Sequence, residues 1–221
     1  MADIQKYFGG YEFWDHLSTE EKNALERCAV YRNYPRGSMV FDSGSECLGL
    51  TYVIKGGIRT YMMSDEGKEV TLFKITAGEC CVLSASCVIK KLSFDSYMTA
   101  EADSEVLIIN AGAVSELSEG NIYFRCFLYE LAAERFSAAM KTMDTLLFLK
   151  LEGRLAKFLL DEFERTGLKE LRMTHEQIAQ NINSAREVVA RTLKRFSQEG
   201  LVDAGRGVIK LLDIKGLRSY L

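Results

Sequence analysis

From Asn121 to about Lys150 the chain runs without a glycine or a proline, and no other feature limits its possible folds so strongly. Apolar or small residues recur there at Tyr129, Ala132, Phe136, Ala139, Met143 and Leu146, spaced 3, 4, 3, 4 and 3. That is a heptad-like rhythm of ~3.5 residues per turn. An unbroken helix of this length reaches ~45 Å at 1.5 Å per residue. Its seam needs a partner. Either the rest of the chain packs on it, or a second copy forms a dimeric coiled coil, in which the two seam alanines would let the helices approach closely.

The helix separates two textures. Residues 4–28 read as one or two short helices, with Ser18-Thr19-Glu20-Glu21 supplying a cap and an acidic first turn. From Ala29 to Asn110 come short runs rich in Val, Ile, Tyr, Thr and Phe, such as Leu50-Thr51-Tyr52-Val53-Ile54 and Val70-Thr71-Leu72-Phe73. Glycines punctuate them, and Asp65-Glu66-Gly67 between two runs signals a hairpin. Many short strands at close spacing imply an antiparallel barrel or sandwich. Beyond the long helix lies another, opening at Gly153-Arg154-Leu155-Ala156 and ending near Thr166-Gly167, then a compact C-terminal region. The expected division is an effector domain over 1–120, a dimerisation helix over 121–150 and a third domain over 151–221.

Composition narrows the class. The 221 residues, 48% hydrophobic, can build one large or two modest domains. No run approaches the ~18 apolar residues of a membrane span. The start, Met-Ala-Asp-Ile-Gln, resembles no signal peptide, so a cytoplasmic protein is expected. Cys28, Cys47, Cys80, Cys81, Cys87 and Cys126 are then expected as reduced thiols. The formal net charge is −3, which would argue against nucleic acid if it were uniform. It is not uniform: residues 151–221 carry 13 Lys+Arg against 10 Asp+Glu, while residues 1–150 carry 15 against 21.

The most informative segment is Met173 to Val202. Thr174 and Gln177 fit a capping box, and Ile178, Ala179 and Ile182 form the inward side of the helix it opens. Asn183 suits a sharp left-handed turn. Ser184 and Glu187 read as a second capping box, opening a helix with Val189, Leu193 and Phe196 inward and Gly200 as its C-terminal stop. Arg186, Arg191, Lys194 and Arg195 project outward. Leu201-Val202 and Val208-Ile209-Lys210-Leu211 flank Ala204-Gly205-Arg206-Gly207, a β-wing with a basic tip. The whole is a winged helix-turn-helix, whose second helix enters the major groove of DNA by its first turn. There an Arg fork can bond both acceptors of guanine, and a carboxylate can accept from the cytosine amino group.

Residues 174–212 resemble the DNA-binding domain of the cyclic-AMP receptor protein / fumarate–nitrate regulator (Crp/Fnr) family. Ala185-Arg186-Glu187-Val188-Val189-Ala190-Arg191 is similar to that family's Ser-Arg-Glu-Thr-Val-x-Arg signature. The Arg154-Leu155-Ala156 opening, the long helix and the strand-rich N-terminal half resemble it too. The likeness implies an α+β chain: an N-terminal double-stranded β-helix (a cupin-like β-roll), a long dimerisation helix and a C-terminal winged helix-turn-helix. It implies a homodimeric transcription regulator and not an enzyme, with double-stranded DNA, a second copy and RNA polymerase as partners. Arg186, Glu187 and Arg191 would read a TGTGA-type half-site of a palindrome, supported by Ser184, Lys194 and Arg206. Asn183, Ala185 and Val188 depart from the family's usual Gly, Ser and Thr, leaving the three reading positions intact.

The expected effector pocket comprises Gly78, Glu79, Cys80, Cys81, Leu83, Ser84 and Cys87. Cyclic-nucleotide-binding members carry a Gly-Glu-Leu turn and an Arg-Ser pair, whose Glu bonds the ribose and whose Arg neutralises the phosphate. Here Leu83 stands for that carboxylate and Phe94-Asp95 for Arg-Ser, with Lys90 and Lys91 as weak substitutes nearby. Cyclic AMP is therefore not expected. The N-terminal cysteine cluster of the iron–sulfur members is absent, since the first cysteine is Cys28. His16 and His175 fall outside the pocket, leaving only Cys as an axial haem ligand. No cofactor or metal is assigned. Three readings of the cysteine loop stay open: small side chains packed under the roll, a redox thiol pair or soft-metal site, or the wall of an organic-ligand pocket. The rival overall function is a thiol-dependent redox protein or enzyme using Cys80, Cys81 or Cys87, although no histidine stands placed to activate them.

Overall fold

The computed structural model describes residues 4–42, 44, 46–82 and 95–221. It is α+β, with two compact units: one reaches Ala139, and the other comprises Met140–Leu221 together with Glu69–Thr71.

The N-terminal unit opens with three short helices, where the sequence reading expects one or two: α1 (Gln5–Phe8), α2 (Glu12–Asp15) and α3 (Thr19–Cys28). Gly9 and the extended Tyr11 break the run after a single turn. The cap on α3 forms as expected, Ser18 accepting from the Glu21 amide at 3.2 Å while Glu21 accepts from the Ser18 amide at 2.7 Å.

Among the described residues eight strands follow: β1 (Ala29–Tyr34), β2 (Met39–Phe41), β3 (Leu50–Lys55), β4 (Gly57–Met63), β5 (Glu69–Thr76), β6 (Cys80–Cys81), β7 (Tyr97–Ala100) and β8 (Ser104–Ile109). They make two four-stranded sheets, β1-β8-β3-β6 and β2-β7-β4-β5. Alternation sends Val53, Val106 and Ile108 into the core between the sheets, with Ile58, Ile75 and Met98. It sends Leu50, Leu107 and Ile109 to the other face, beneath Phe8, Phe13, Trp14 and Leu25 of the N-terminal helices. Gly67, at φ +77°, closes the expected β4–β5 hairpin. Gly56, at φ +85°, is needed where β3 meets β4, because an added Cβ would collide with Ser104 Oγ.

After α4 (Ala111–Gly120) comes α5 (Ile122–Phe148), the long helix. Its buried stripe is Phe124, Phe127, Leu128, Leu131 and Arg135. Tyr129, Phe136 and Met143 are exposed, whereas Ala132 and Ala139 pack on the N-terminal unit's cores and Leu146 is half-buried. The apolar face left open keeps Tyr129, Phe136 and Met143 of the expected seam and takes the residue after each of Ala132, Ala139 and Leu146: Ile122, Cys126, Tyr129, Ala133, Phe136, Met140, Met143 and Leu147 are all exposed, at alternating 4- and 3-residue spacing. Alternating bulky and small side chains blurred the pattern in sequence, because two adjacent alanines satisfy either phase.

The C-terminal unit packs α6 (Leu151–Thr166), α7 (His175–Asn181), α8 (Arg186–Gln198) and α9 (Ile214–Arg218) on a small sheet ordered β10-β11-β9. Its strands are β9 (Glu170–Leu171), β10 (Val202–Gly205) and β11 (Val208–Leu211). Leu155, Leu159, Ile178, Val189, Leu193, Phe196, Ile209 and Leu217 form its core. Among the described residues, no helix is long and apolar enough to cross a membrane.

Candidate nucleic-acid interface and effector region

The helix-turn-helix is built by its caps. Thr174 accepts from the Gln177 amide at 3.2 Å, and Gln177 accepts from the Thr174 amide at 2.9 Å, so α7 starts as expected. Asn183 is the one non-glycine with positive φ (+53°) among the described residues. It stands just past the end of α7, and the Ser184 amide reaches back to the Ala179 carbonyl at 2.9 Å, closing the helix in a Schellman manner.

That bond overturns the expected second capping box. With Ser184 spent on closing α7, α8 starts at Arg186 behind Ala185, which offers no side-chain cap. Glu187 is therefore free of a capping role and exposed. Gly200, at φ +73°, ends α8 where the Leu201 amide returns to the Phe196 carbonyl at 2.9 Å.

Arg186, Glu187, Arg191 and Lys194 are exposed on α8, while Val189, Thr192, Leu193 and Phe196 are buried. Glu187, Arg191 and Lys194 stand at i, i+4 and i+7 and share one face. Ser184 is half-buried at the turn. Arg206 is exposed at the tip of the β10–β11 wing, beside Gly207 at φ +75°. Arg195, outward in sequence terms, bridges Glu152 at 3.0 Å and Glu199 at 3.7 Å, so it is committed within the unit. A backbone N–H at the start of α6, then the Arg195 guanidinium, hold the Glu152 carboxyl below its ordinary value.

Arg154 is a residue the sequence reading left without a role. Its Nη1 donates to the carbonyls of Ile182 (3.0 Å) and Asn183 (3.3 Å), tying α6 to the turn between α7 and α8. The signal available was a cation on an otherwise apolar helix face, beside Leu155 and Ala156.

In the N-terminal unit, Gly78, Glu79, Cys80 and Cys81 make a turn and a two-residue strand. Glu79 accepts from the Thr76 amide at 2.6 Å, closing the turn. Leu83, Ser84 and Cys87, with Lys90, Lys91 and Phe94, lie outside the described residues. Cys80 and Cys81 point to opposite sides of their sheet, into different cores. Burial pushes the Cys80 thiol up to about 12, the opposite of an activated nucleophile. Cys81 is fully buried. These two thiols behave as small core side chains, and the thiol-enzyme reading finds no support in them. Among the described residues, no three His, Cys, Asp or Glu side chains converge on a metal-sized site.

Beside this turn lies a cleft of about 250 Å³ lined by Tyr11, Glu79, Cys80, Phe127 and Arg135. Arg135 is only 8% exposed. It donates from Nη2 to the Cys80 carbonyl at 2.9 Å and lies over the Phe73 ring at 5.7 Å, while its Nε is buried without a partner. A cation on the buried stripe of α5, seven residues after Leu128, was its sequence signal. His16 stacks on Tyr123 at 3.5 Å between ring centroids, away from this cleft.

A β-roll followed by a long helix and a winged helix-turn-helix with an exposed basic second helix defines a class, the DNA-binding transcription regulators with an N-terminal β-roll. Residues 31–121 match the cyclic nucleotide-binding domain family, and residues 153–220 match the Crp-like helix-turn-helix domain family. A protein of the Crp/Fnr family from Eubacterium rectale shares 35% identity and a TM-score of 0.88, the alignment covering 95% of this chain and 97% of that one. The cAMP-activated global transcriptional regulator CRP of Haemophilus influenzae is 25% identical over 186 residues, 81% of this chain and 82% of that protein. The cAMP-activated global transcriptional regulator Vfr of Pseudomonas aeruginosa is 24% identical over 181 residues, 77% and 84% of the two chains. This chain belongs to the Crp/Fnr family of transcriptional regulators.

Proposed function

We propose that the protein is a homodimeric cytoplasmic regulator that binds a palindromic operator, works with RNA polymerase and answers to a signal other than cyclic AMP through its β-roll. The observation that carries this reading is the pairing of two exposed faces. One is the row Arg186, Glu187, Arg191 and Lys194 on α8. The other is the unbroken heptad from Ile122 to Leu147 on α5, where Phe136 is 67% and Leu147 70% exposed. Side chains of that size at strict coiled-coil spacing match a second copy of the same helix. A two-fold dimer then presents two α8 helices, which calls for a two-fold operator. Arg186, Glu187 and Arg191 read bases in each half-site, and Ser184, Lys194 and Arg206 hold phosphates.

The dimer has a built-in reporter, since Cys126 stands on the exposed row. Mild oxidation with diamide should give an inter-chain disulfide that Cys126→Ser abolishes, and a gel-shift should capture fragments from the protein's own gene region. Monomeric chains with no preference among fragments would defeat the reading.

The relatives CRP of Haemophilus influenzae and Vfr of Pseudomonas aeruginosa are cAMP-activated. Leu83 and Phe94, where a ribose-binding carboxylate and a phosphate-binding arginine would stand, support a different effector here. The cleft at Cys80 and Arg135 is the described part of the pocket in which it would act.

A further inference from the structure

The C-terminal unit contains a cleft of about 300 Å³ into which none of the proposed base-reading side chains projects. Leu146 of α5, Phe158 of α6 and Ile182 at the end of α7 supply apolar wall. Lys141, Arg154 and Lys157 supply three cations against a single acid, Asp161. Lys157 pairs with Asp161 at a long 3.8 Å, and Lys141 has no acidic partner among the described residues. Burial raises the Asp161 carboxyl above its ordinary value, while Lys157 beside it acts the other way.

Arg154 sharpens the case. One of its terminal nitrogens serves the carbonyls of Ile182 and Asn183, while its Nε–H is buried and unpartnered. Three cations lining the cleft against one acid call for a further anionic acceptor. Such an acceptor must carry more than one negative charge to answer three cations, and several oxygens to reach them. A phosphomonoester does both, whereas a carboxylate answers one cation. The volume is at the small end of organic-ligand sites, large enough for a phosphate with a ring or chain against Phe158 and Leu146.

We propose that this cleft binds a small organic phosphate, with Lys141, Arg154 and Lys157 around the phosphoryl group and Phe158 against the organic body. Because Arg154 also holds the turn between α7 and α8, occupancy bears directly on the base of the recognition helix. The site stands whether or not α8 reads DNA.

Phenyl phosphate is the probe, with benzoate and inorganic phosphate as comparisons, on the ¹⁵N-labelled full-length protein. Saturable amide shifts at Thr145, Phe158 and Asn181 are expected, with a rise in melting temperature. Benzoate and inorganic phosphate should each bind about tenfold more weakly or worse. The exposed or half-exposed pair Lys141→Gln/Lys157→Gln should fold normally and lose affinity by a similar factor, while operator binding by gel-shift is kept. Shifts confined to Arg186–Lys194, unchanged affinity in the double variant, or benzoate binding as well as phenyl phosphate would each overturn the proposal.

Discussion

Single side chains divide here by whether their charge is already committed. Arg195 bridges Glu152, whereas Arg186 and Lys194 on the same helix have open charges. The two should fail differently. Arg186→Ala is expected to cost roughly 1–3 kcal/mol of operator binding and to relax one base position. Lys194→Ala should weaken binding to all sequences and lower the slope of log affinity against log salt by about 1. Quantitative gel-shifts on operator and random DNA at several salt concentrations separate the two. Cys80 offers a pH test. Its thiol titrates near 9 when unfolded and near 12 when buried, so the folded state keeps a proton that the unfolded state loses. Stability is fully present below pH 9 and falls as pH rises toward 12, by up to about 1.4 kcal/mol per pH unit from this group. In urea titrations Cys80→Ala should show a shallower alkaline loss than the parent. Tyr11, whose hydroxyl lies 3.8 Å from the thiol and is also pushed up by burial, contributes in the same direction and stays in both proteins.

Among the elements, α5 has two apolar faces. Its stripe from Phe124 to Arg135 holds the helix on the N-terminal unit, and its exposed heptad is the face proposed to meet a second copy. Substituting neighbouring residues should therefore give opposite outcomes. Phe136→Asp, on the open face, should leave thermal unfolding nearly unchanged and produce monomers by sedimentation. Ala132→Asp, against the core of Phe127 and Leu131, buries a charge and should lower stability by several kcal/mol. If Phe136→Asp remained dimeric at micromolar concentration, α5 would not be the dimer seam. The turn between α7 and α8 is the second decisive element. One left-handed Asn183 and one returning amide from Ser184 set where α8 begins, and hence that Arg186 occupies its first turn.

For the molecule as a whole, the charges sort by task. The acidic excess belongs to residues 1–150 and the basic excess to residues 151–221, so a chain of net charge −3 still carries a basic DNA-binding half. In the proposed reading its N-terminal half carries Leu83 and Phe94 where a ribose-binding carboxylate and a phosphate-binding arginine would be needed. Adding cyclic AMP should leave operator affinity within about twofold of its starting value, because a ligand with no preference between two states shifts neither. A tenfold or greater gain with cyclic AMP, measured by fluorescence anisotropy, would contradict the proposed choice of effector.

Much of this was legible in the residues alone. Strand-rich runs between glycines, an uninterrupted helix and a capped pair of helices with outward arginines specify their elements locally, and local propensity and periodicity are properties of sequence. Thr174/Gln177 and Asn183 formed as read because a cap or a turn needs only its neighbours. What stayed hidden depended on distant partners. Which apolar residues of α5 stay exposed is set by Ala132 and Ala139 packing on the N-terminal cores. The second capping box is lost because the Ser184 amide is taken by Ala179. Arg135, Arg154 and Arg195 gain their roles from Cys80, Ile182 and Glu152, all 28 or more residues away in sequence. Sequence determined the elements, the family and the exposed basic face proposed to meet DNA. Tertiary structure alone decided which charges are committed, which thiols are buried and which apolar face of α5 is left exposed, since burial and pairing depend on contacts that only the folded chain brings together.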